Sequence, residues 1–347
     1  MLRQTEFADR LLKWYDKDAR VLPWRSRPTP YRVWISEMML QQTRVETVIP
    51  YFQRFMTEIP DIVTLANIEE DKLLKLWQGL GYYSRAMNLK KAAQILLVEY
   101  DGQIPSDRKT LQKLPGIGPY SAGAISSIAF EKVETLMDGN VLRVIARLKG
   151  IEDDIGEKQT QNQILKFLEE QISVKRPGDF NQALMELGAT RCLPNGAPLC
   201  DRCPMRNICI ATIENRTGVI PVKKAKKPRE IQYQTVLVLS WNQTYGIEKR
   251  KSSGLLAKMW TLPMIEGHLN KEACIEWLEL AGYEISKITA LPSSKHIFTH
   301  IEWKMIGYEV AIRTIGNSNQ MTWVNKDQID NQYAIPTAHS FYLKYLK

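Results

Sequence analysis

From the N-terminus to about residue 190, apolar positions recur at helical spacing. Leu73-Leu74-Lys75-Leu76-Trp77 and Ile164-Leu165-Lys166-Phe167-Leu168 are examples, with Gly and Pro punctuating the chain between such segments. Strand-like alternation is absent from this stretch. Beyond residue 230 the period changes. Residues 232–239 and 303–310 are rich in β-branched and aromatic side chains and predict strands, whereas 272–281 and 340–346 predict helices. Between the two regimes, Pro221 to Arg229 carries a run of lysines bounded by prolines, the composition of a tether. The pattern therefore predicts a mostly α region over 1–215, a linker over 216–230 and an α+β domain over 231–347.

With 347 residues the chain is long enough for two domains, and its 44% apolar and 24% charged residues are those of a globular protein. No apolar stretch reaches membrane-spanning length, and the first residues lack a signal-peptide core. The expectation is a protein that stays in the cytoplasm, without membrane association. A net charge of +9 makes a polyanion a candidate partner, although many soluble proteins are basic for no such reason. Four of the five cysteines, Cys192, Cys200, Cys203 and Cys209, lie close together. In a reducing compartment such a group reads as a metal site holding zinc or an iron–sulfur cluster, not as a disulfide frame.

Residues 107–130 form a second signature. Leu114-Pro115-Gly116-Ile117-Gly118-Pro119-Tyr120 joins a short helix over 107–113 to an apolar helix over 121–129. Gly116 and Gly118 permit a tight turn, and Pro119 suits the first turn of the second helix. The N–H groups there can hold a phosphate oxygen without reading a base.

Two carboxylates stand in contrasting settings. Glu37 is flanked by Val33-Trp34-Ile35-Ser36 and Met38-Met39-Leu40. Apolar surroundings disfavour the ionised form and suit a general acid, unless the residue faces solvent on an amphipathic helix. Asp138, in Met137-Asp138-Gly139-Asn140-Val141, precedes an apolar helical run. At a helix start its anion is expected to be favoured, and an ordinary cap is the alternative reading. Two carboxylates with separated pKa values would take separate acid and anion roles.

These motifs together resemble MutY-type adenine DNA glycosylases of the endonuclease III-like superfamily. The hairpin resembles the helix–hairpin–helix of repair glycosylases. Residues 192–209 resemble their iron–sulfur loop, with one residue more in the first gap. Residues 34–45 resemble the catalytic-glutamate helix, and 76–85 the minor-groove reading loop. The resemblance covers residues 5–215 almost continuously and the remainder more loosely, where the fold is Nudix-like. It implies a 4Fe–4S cluster on the four cysteines and, as substrate of a monomer, duplex DNA with adenine opposite 8-oxoguanine or guanine. It implies that Glu37 protonates adenine and then activates water, and that Asp138, with Asn140 and Tyr120 near it, supports the positive sugar. Gln42, Thr43, Leu80 and Tyr82 would meet the DNA near the lesion, and Gly116, Gly118 and Pro119 the backbone. Trp24, Arg25 and Gln182 would line the adenine pocket; many family members carry Glu in place of Gln182. Phe298, Thr299 and His300 would recognise 8-oxoguanine, Thr299 standing where the family has Ser.

Bifunctional relatives carry a hairpin lysine that forms a Schiff base with the sugar. Here Tyr120 occupies that place, which predicts base hydrolysis without efficient strand cleavage. The rival activities are a bifunctional pyrimidine glycosylase and lyase, a non-catalytic iron–sulfur DNA-binding protein and a Nudix pyrophosphohydrolase. Residues 271–279 lack the Arg-Glu-x-x-Glu-Glu group that the last would need to hold magnesium.

Overall fold

The computed structural model describes residues 4–224, 228–315 and 321–347. Ala225, Lys226 and Lys227, part of the tether read from the sequence, fall outside them. In chain order the first helices are α1 (Gln4–Asp18), α2 (Pro30–Leu40), α3 (Val45–Glu58), α4 (Ile62–Asn67), α5 (Glu70–Trp77) and α6 (Ser84–Glu99). They are followed by α7 (Arg108–Leu111), α8 (Pro119–Phe130), α9 (Gly139–Lys149), α10 (Lys158–Gln171), α11 (Pro177–Thr190) and α12 (Ile210–Ile213). No strand occurs before residue 230 among the described residues. No described helix is long and apolar enough to cross a membrane.

Contacts divide the chain into two compact units. One comprises Met1–Asn67 with Asn88–Ala225, the other Ile68–Met87 with Lys226–Lys347. The sequence pattern predicts a linear division, so the membership of 68–87 is a departure from it. Hydrogen bonds and ion pairs explain it. Lys75 Nζ donates to the carbonyls of Ile329 at 3.2 Å and Tyr333 at 3.0 Å, and Gln78 Nε2 donates to that of Ile335 at 2.7 Å. Lys258 pairs with Glu70 at 2.9 Å and Lys249 with Asp71 at 2.8 Å.

In the first unit, α2 starts with Thr29 accepting the Arg32 N–H and with Pro30 in its first turn. That helix is buried on nearly every side, from Tyr31 through Met39, with Arg32 less so, and packs against α8. Such all-round burial is what an apolar run without a polar face requires. The short helix expected over 107–113 is reduced to α7, capped by Asp107. α11 packs against α1, α8 and α9. A Cβ at Gly188 would lie 2.5 Å from the Asn140 Cβ, so only glycine lets α11 approach the first turn of α9 this closely.

The second unit adds β1 (Glu230–Trp241), β2 (Thr244–Lys249), β3 (Trp260–Thr261), β4 (Met264–Glu266) and α13 (Lys271–Leu280). It continues with β5 (Glu284–Ile297), β6 (Ile301–Thr314), β7 (Thr322–Val324) and α14 (Lys326–Asn331). The sheet order is β3-β2-β1-β6-β5, with β4 also pairing β1 and β7 pairing β2. β1 runs parallel to β6, Leu237 opposite Tyr308, while β5 and β6 form an antiparallel hairpin. Val236 and Val238 enter one core with Trp303 and Tyr342; Leu237 and Leu239 enter the other with Cys274 and Leu278 of α13. A sheet covered on both faces accounts for the unbroken apolar run in β1. The helix expected over 340–346 is not formed. The segment makes one 3₁₀ turn at Tyr342–Tyr345, preceded by another at Thr337–His339, and Tyr342 and Leu346 reach the core at the ends of the former.

Candidate active site

The ends of α2, α8, α9 and α11 meet around a cavity of about 140 Å³ in the first unit. Trp24, Arg25, Glu37, Tyr120, Asp138 and Gln182 are among its lining residues, with Thr43 and Asn140 at its wall. Burial of α2 carries Glu37 inside, where it is 4% exposed. Desolvation pushes its carboxyl up to about 7; the Asp138 charge adds to this, while the Tyr120 hydrogen bond and the Arg25 charge oppose it. Tyr120, in the first turn of α8, donates its hydroxyl to Glu37 Oε2 at 2.6 Å and also meets Met185 Sδ at 3.1 Å. The phenol's own pKa is raised, chiefly by burial and then by the Glu37 charge, so it serves as a donor and not as a base.

Asp138 caps α9. Oδ1 accepts the Val141 N–H at 2.7 Å, and Oδ2 accepts from the Asn140 carboxamide at 2.8 Å. The expectation that a helix start would favour its anion is corrected in one respect: its carboxyl is raised, because burial outweighs the hydrogen bonds and the Arg143 charge that favour ionisation. The Asn140 Oδ1 accepts from Arg143 at 2.8 Å, and Arg143 also donates to the carbonyls of Gly188 and Cys192.

At the opposite wall, Arg25 Nε donates to Gln182 Oε1 at 3.1 Å, and its Nη2 donates to Glu186 Oε2 at 2.9 Å. Arg20 donates to the same carboxylate, Nε to Oε1 at 2.7 Å. The Glu186 side chain is fully buried, and its pKa is lowered by these two arginines against the desolvation of the site. Glu186 is a site residue that the sequence reading overlooked. Its signal is slight: it stands four residues after Gln182, one helical turn along α11. Trp24 is buried edge-on against Phe52 at 5.4 Å.

Gln42 is exposed, with φ +57, and does not line the cavity. Gly116 adopts φ +79, and a Cβ there would lie 2.8 Å from the Asn88 Cβ; Gly118 is the N-cap of α8 and Pro119 its first residue. Leu80 and Tyr82 belong to the second unit, as do Phe298, Thr299 and His300. Leu80 is buried and Tyr82 is 44% exposed. Arg85 holds this loop by donating to the carbonyls of Leu80 and Gly81, each at 3.0 Å. The Tyr82 hydroxyl meets the Thr299 hydroxyl at 2.6 Å. Thr299 and His300 are exposed in the β5–β6 turn, whereas Phe298 is half-buried, edge-on to Trp303 at 4.9 Å and to His296 at 4.6 Å.

The four cysteines of the loop are free thiols and partly buried. Burial pushes the Cys203 thiol up to about 12, and the charges of Cys192, Cys209 and Cys200 act in the same direction. Arg147 donates to Cys192 Sγ at 3.3 Å. Among the described residues no group of three or more His, Cys, Asp or Glu side chains closes to the spacing that holds a single metal ion. As a donor set, four neighbouring thiols beside an arginine fit a thiolate-bound cluster that carries negative charge.

Comparison with known proteins agrees with this architecture. Residues 35–170 match the HhH-GPD superfamily of base excision DNA repair proteins, and residues 235–345 match the NUDIX domain. The adenine DNA glycosylase of Buchnera aphidicola subsp. Baizongia pistaciae is 35% identical over 326 residues, covering 92% of this chain and 91% of the relative. That of Rattus norvegicus is 33% identical over 384 residues, covering 92% of this chain and 74% of the relative. Among solved structures, a thermostable thymine-DNA glycosylase is similar with a TM-score of 0.53 and 27% identity, over 60% of this chain and 95% of its own.

Proposed function

The chain belongs to the adenine DNA glycosylase family of HhH-GPD base excision repair proteins, and on that premise we propose that it hydrolyses the N-glycosidic bond of adenine opposite 8-oxoguanine or guanine in duplex DNA. The observation that carries the reading is the pair of carboxyl groups on one cavity, Glu37 buried and Asp138 half-buried. Glu37 is poised near 7 and held by Tyr120, and Asp138 is fixed by two hydrogen bonds.

The adenine must leave the stack to reach such a cavity. Glu37 in its acid form gives its proton to N7 of the base. The bond between the sugar C1′ and N9 then breaks, and its electron pair leaves with adenine. Asp138 faces the positive charge that develops on the sugar, a fixed charge acting where little water competes. Glu37, now a carboxylate, takes a proton from the water that adds to C1′ and so returns to its starting form. Tyr120 holds the Glu37 carboxyl in place throughout. No lysine lines the cavity among the described residues, which supports hydrolysis without an imine.

The net charge of +9 favours the phosphate backbone, and the Gly116–Pro119 turn offers main-chain N–H groups to one phosphate. Cys192, Cys200, Cys203 and Cys209 would hold a 4Fe–4S cluster, whose iron–sulfur bonds would tie the loop together. Phe298, Thr299 and His300, with Tyr82 bonded to Thr299, are proposed to read the 8-oxoguanine.

The test is incubation with duplexes carrying adenine opposite 8-oxoguanine, guanine or thymine, followed by alkali. Scission at the mispaired adenine only after alkali is expected. Scission at a pyrimidine, or efficient cleavage before alkali, would overturn the reading.

A further inference from the structure

We propose that Glu186 is a positioning residue of the base pocket, which through Arg25 fixes the Gln182 carboxamide in one orientation; this rests on the adenine glycosylase reading above.

A fully buried carboxylate shared by two guanidinium groups is a costly arrangement to build, and removing one partner leaves buried charge unpaired. Its geometry has a consequence for the cavity. Arg25 is held at three points: Nη2 on Glu186, Nη1 on the Arg20 carbonyl at 3.1 Å, and Nε on Gln182. Arg20 is fixed to the same carboxylate by Nε and by Nη2 at 3.1 Å, and its backbone N–H also donates to Oε1 at 3.2 Å. Arginine only donates, so the carboxamide atom facing Arg25 Nε must be the oxygen. The NH₂ of Gln182 is then what this side chain offers to a base. A donor there suits the unprotonated ring nitrogens of adenine and opposes the N1–H of guanine. Without Glu186, Arg25 loses its main anchor, and the carboxamide loses the contact that sets which end faces the base.

The experiment is a double-mutant cycle between Glu186→Gln and Gln182→Ala, read by single-turnover release of adenine from a duplex at saturating enzyme, with thermal midpoints recorded for each protein. Misplacement of a substrate-orienting group costs about 10²-fold in rate. Each single variant should lose rate on that scale, and the double variant should be no slower than the slower single one, because both changes remove the same oriented contact. Losses that multiply would overturn the proposal and leave Glu186 a purely structural anchor, as would unchanged rate in a destabilised Glu186→Gln. Should Glu186→Gln fail to fold, Glu186→Asp keeps the charge and withdraws it by one methylene. It should fold and lose rate in the wild-type background but not in the Gln182→Ala background, and equal losses in both would overturn the proposal. A wild-type protein that releases no adenine would instead defeat the parent reading.

Discussion

The Tyr120 hydroxyl donates to Glu37 Oε2 at 2.6 Å, although the two residues lie 83 positions apart on helices α8 and α2. The phenol is spent on holding the acid, and its bond opposes the rise of the Glu37 pKa that burial causes. Control of the proton on Glu37 is therefore the property most open to measurement.

Glu37→Gln should abolish adenine release while duplex binding persists, since the amide keeps the size and loses both the acid and the base; loss of one such group typically costs about 10²–10⁴-fold. In the wild type, single-turnover rate should fall as pH rises through about 7, where the acid form is lost. Stability carries the same sign. The folded protein holds the Glu37 proton between the ordinary value of 4.5 and about 7, so the charge it must bury costs stability as pH rises through that window. At about 1.4 kcal/mol per unit, Glu37→Gln should gain on the order of 3 kcal/mol above pH 7 and nothing below 4.5. Thermal melts at pH 5 and pH 8 check this, and an equal shift at both would contradict it.

Tyr120→Phe removes a bond that lowers the Glu37 pKa, so the alkaline fall in rate should move to higher pH. Tyr120→Lys should introduce some strand cleavage, because an amine at this position can condense with the opened sugar. Borohydride should trap a covalent DNA complex with the lysine variant and not with the wild type. Strong trapping by the wild type would favour a lyase.

The legible parts of this site were those written locally. The apolar run around Glu37 signalled burial, and the Asp138-Gly139-Asn140 step signalled a helix start. What sequence cannot show is the sum of opposing effects. The cap on Asp138 favours its anion, yet enclosure by the other helices wins. Glu186 was missed because its arginine partners precede it by 166 and 161 positions, and a lone Glu on α11 reads as a solvent-facing position. The strands β1 and β6 and the helix α13 were legible from their period. The grouping of 68–87 with the sheet unit was not, since Lys75 and Gln78 bind main-chain carbonyls, which carry no side-chain signature.

The purified protein should be yellow-brown and contain about four irons per chain, as four thiolate ligands imply. Cys203→Ala should lose the visible absorbance and the iron together. Zinc without iron after anaerobic purification would contradict the cluster.

Replacing Phe298, Thr299 and His300 by alanine should weaken binding to adenine opposite 8-oxoguanine more than to adenine opposite guanine, because each base contact discriminates by roughly 1–3 kcal/mol. Excision at saturating enzyme should survive. Thr299→Val, which loses the bond to Tyr82, should reproduce part of the effect. Losses of equal size on the two duplexes would mean that the turn is packing alone.

The membership of residues 68–87 in the sheet unit also sets an order of assembly during synthesis. Lys75 emerges from the ribosome 254 residues before the Ile329 carbonyl it binds, and Gln78 emerges 257 before that of Ile335. The Tyr82 hydroxyl likewise waits 217 residues for Thr299. At translation rates of roughly 5–20 residues per second, this segment spends more than ten seconds without its partners. A nascent chain released just after residue 224 would carry Glu37, Tyr120, Asp138 and all four loop cysteines, yet its segment bearing Tyr82 would lack every one of those partners.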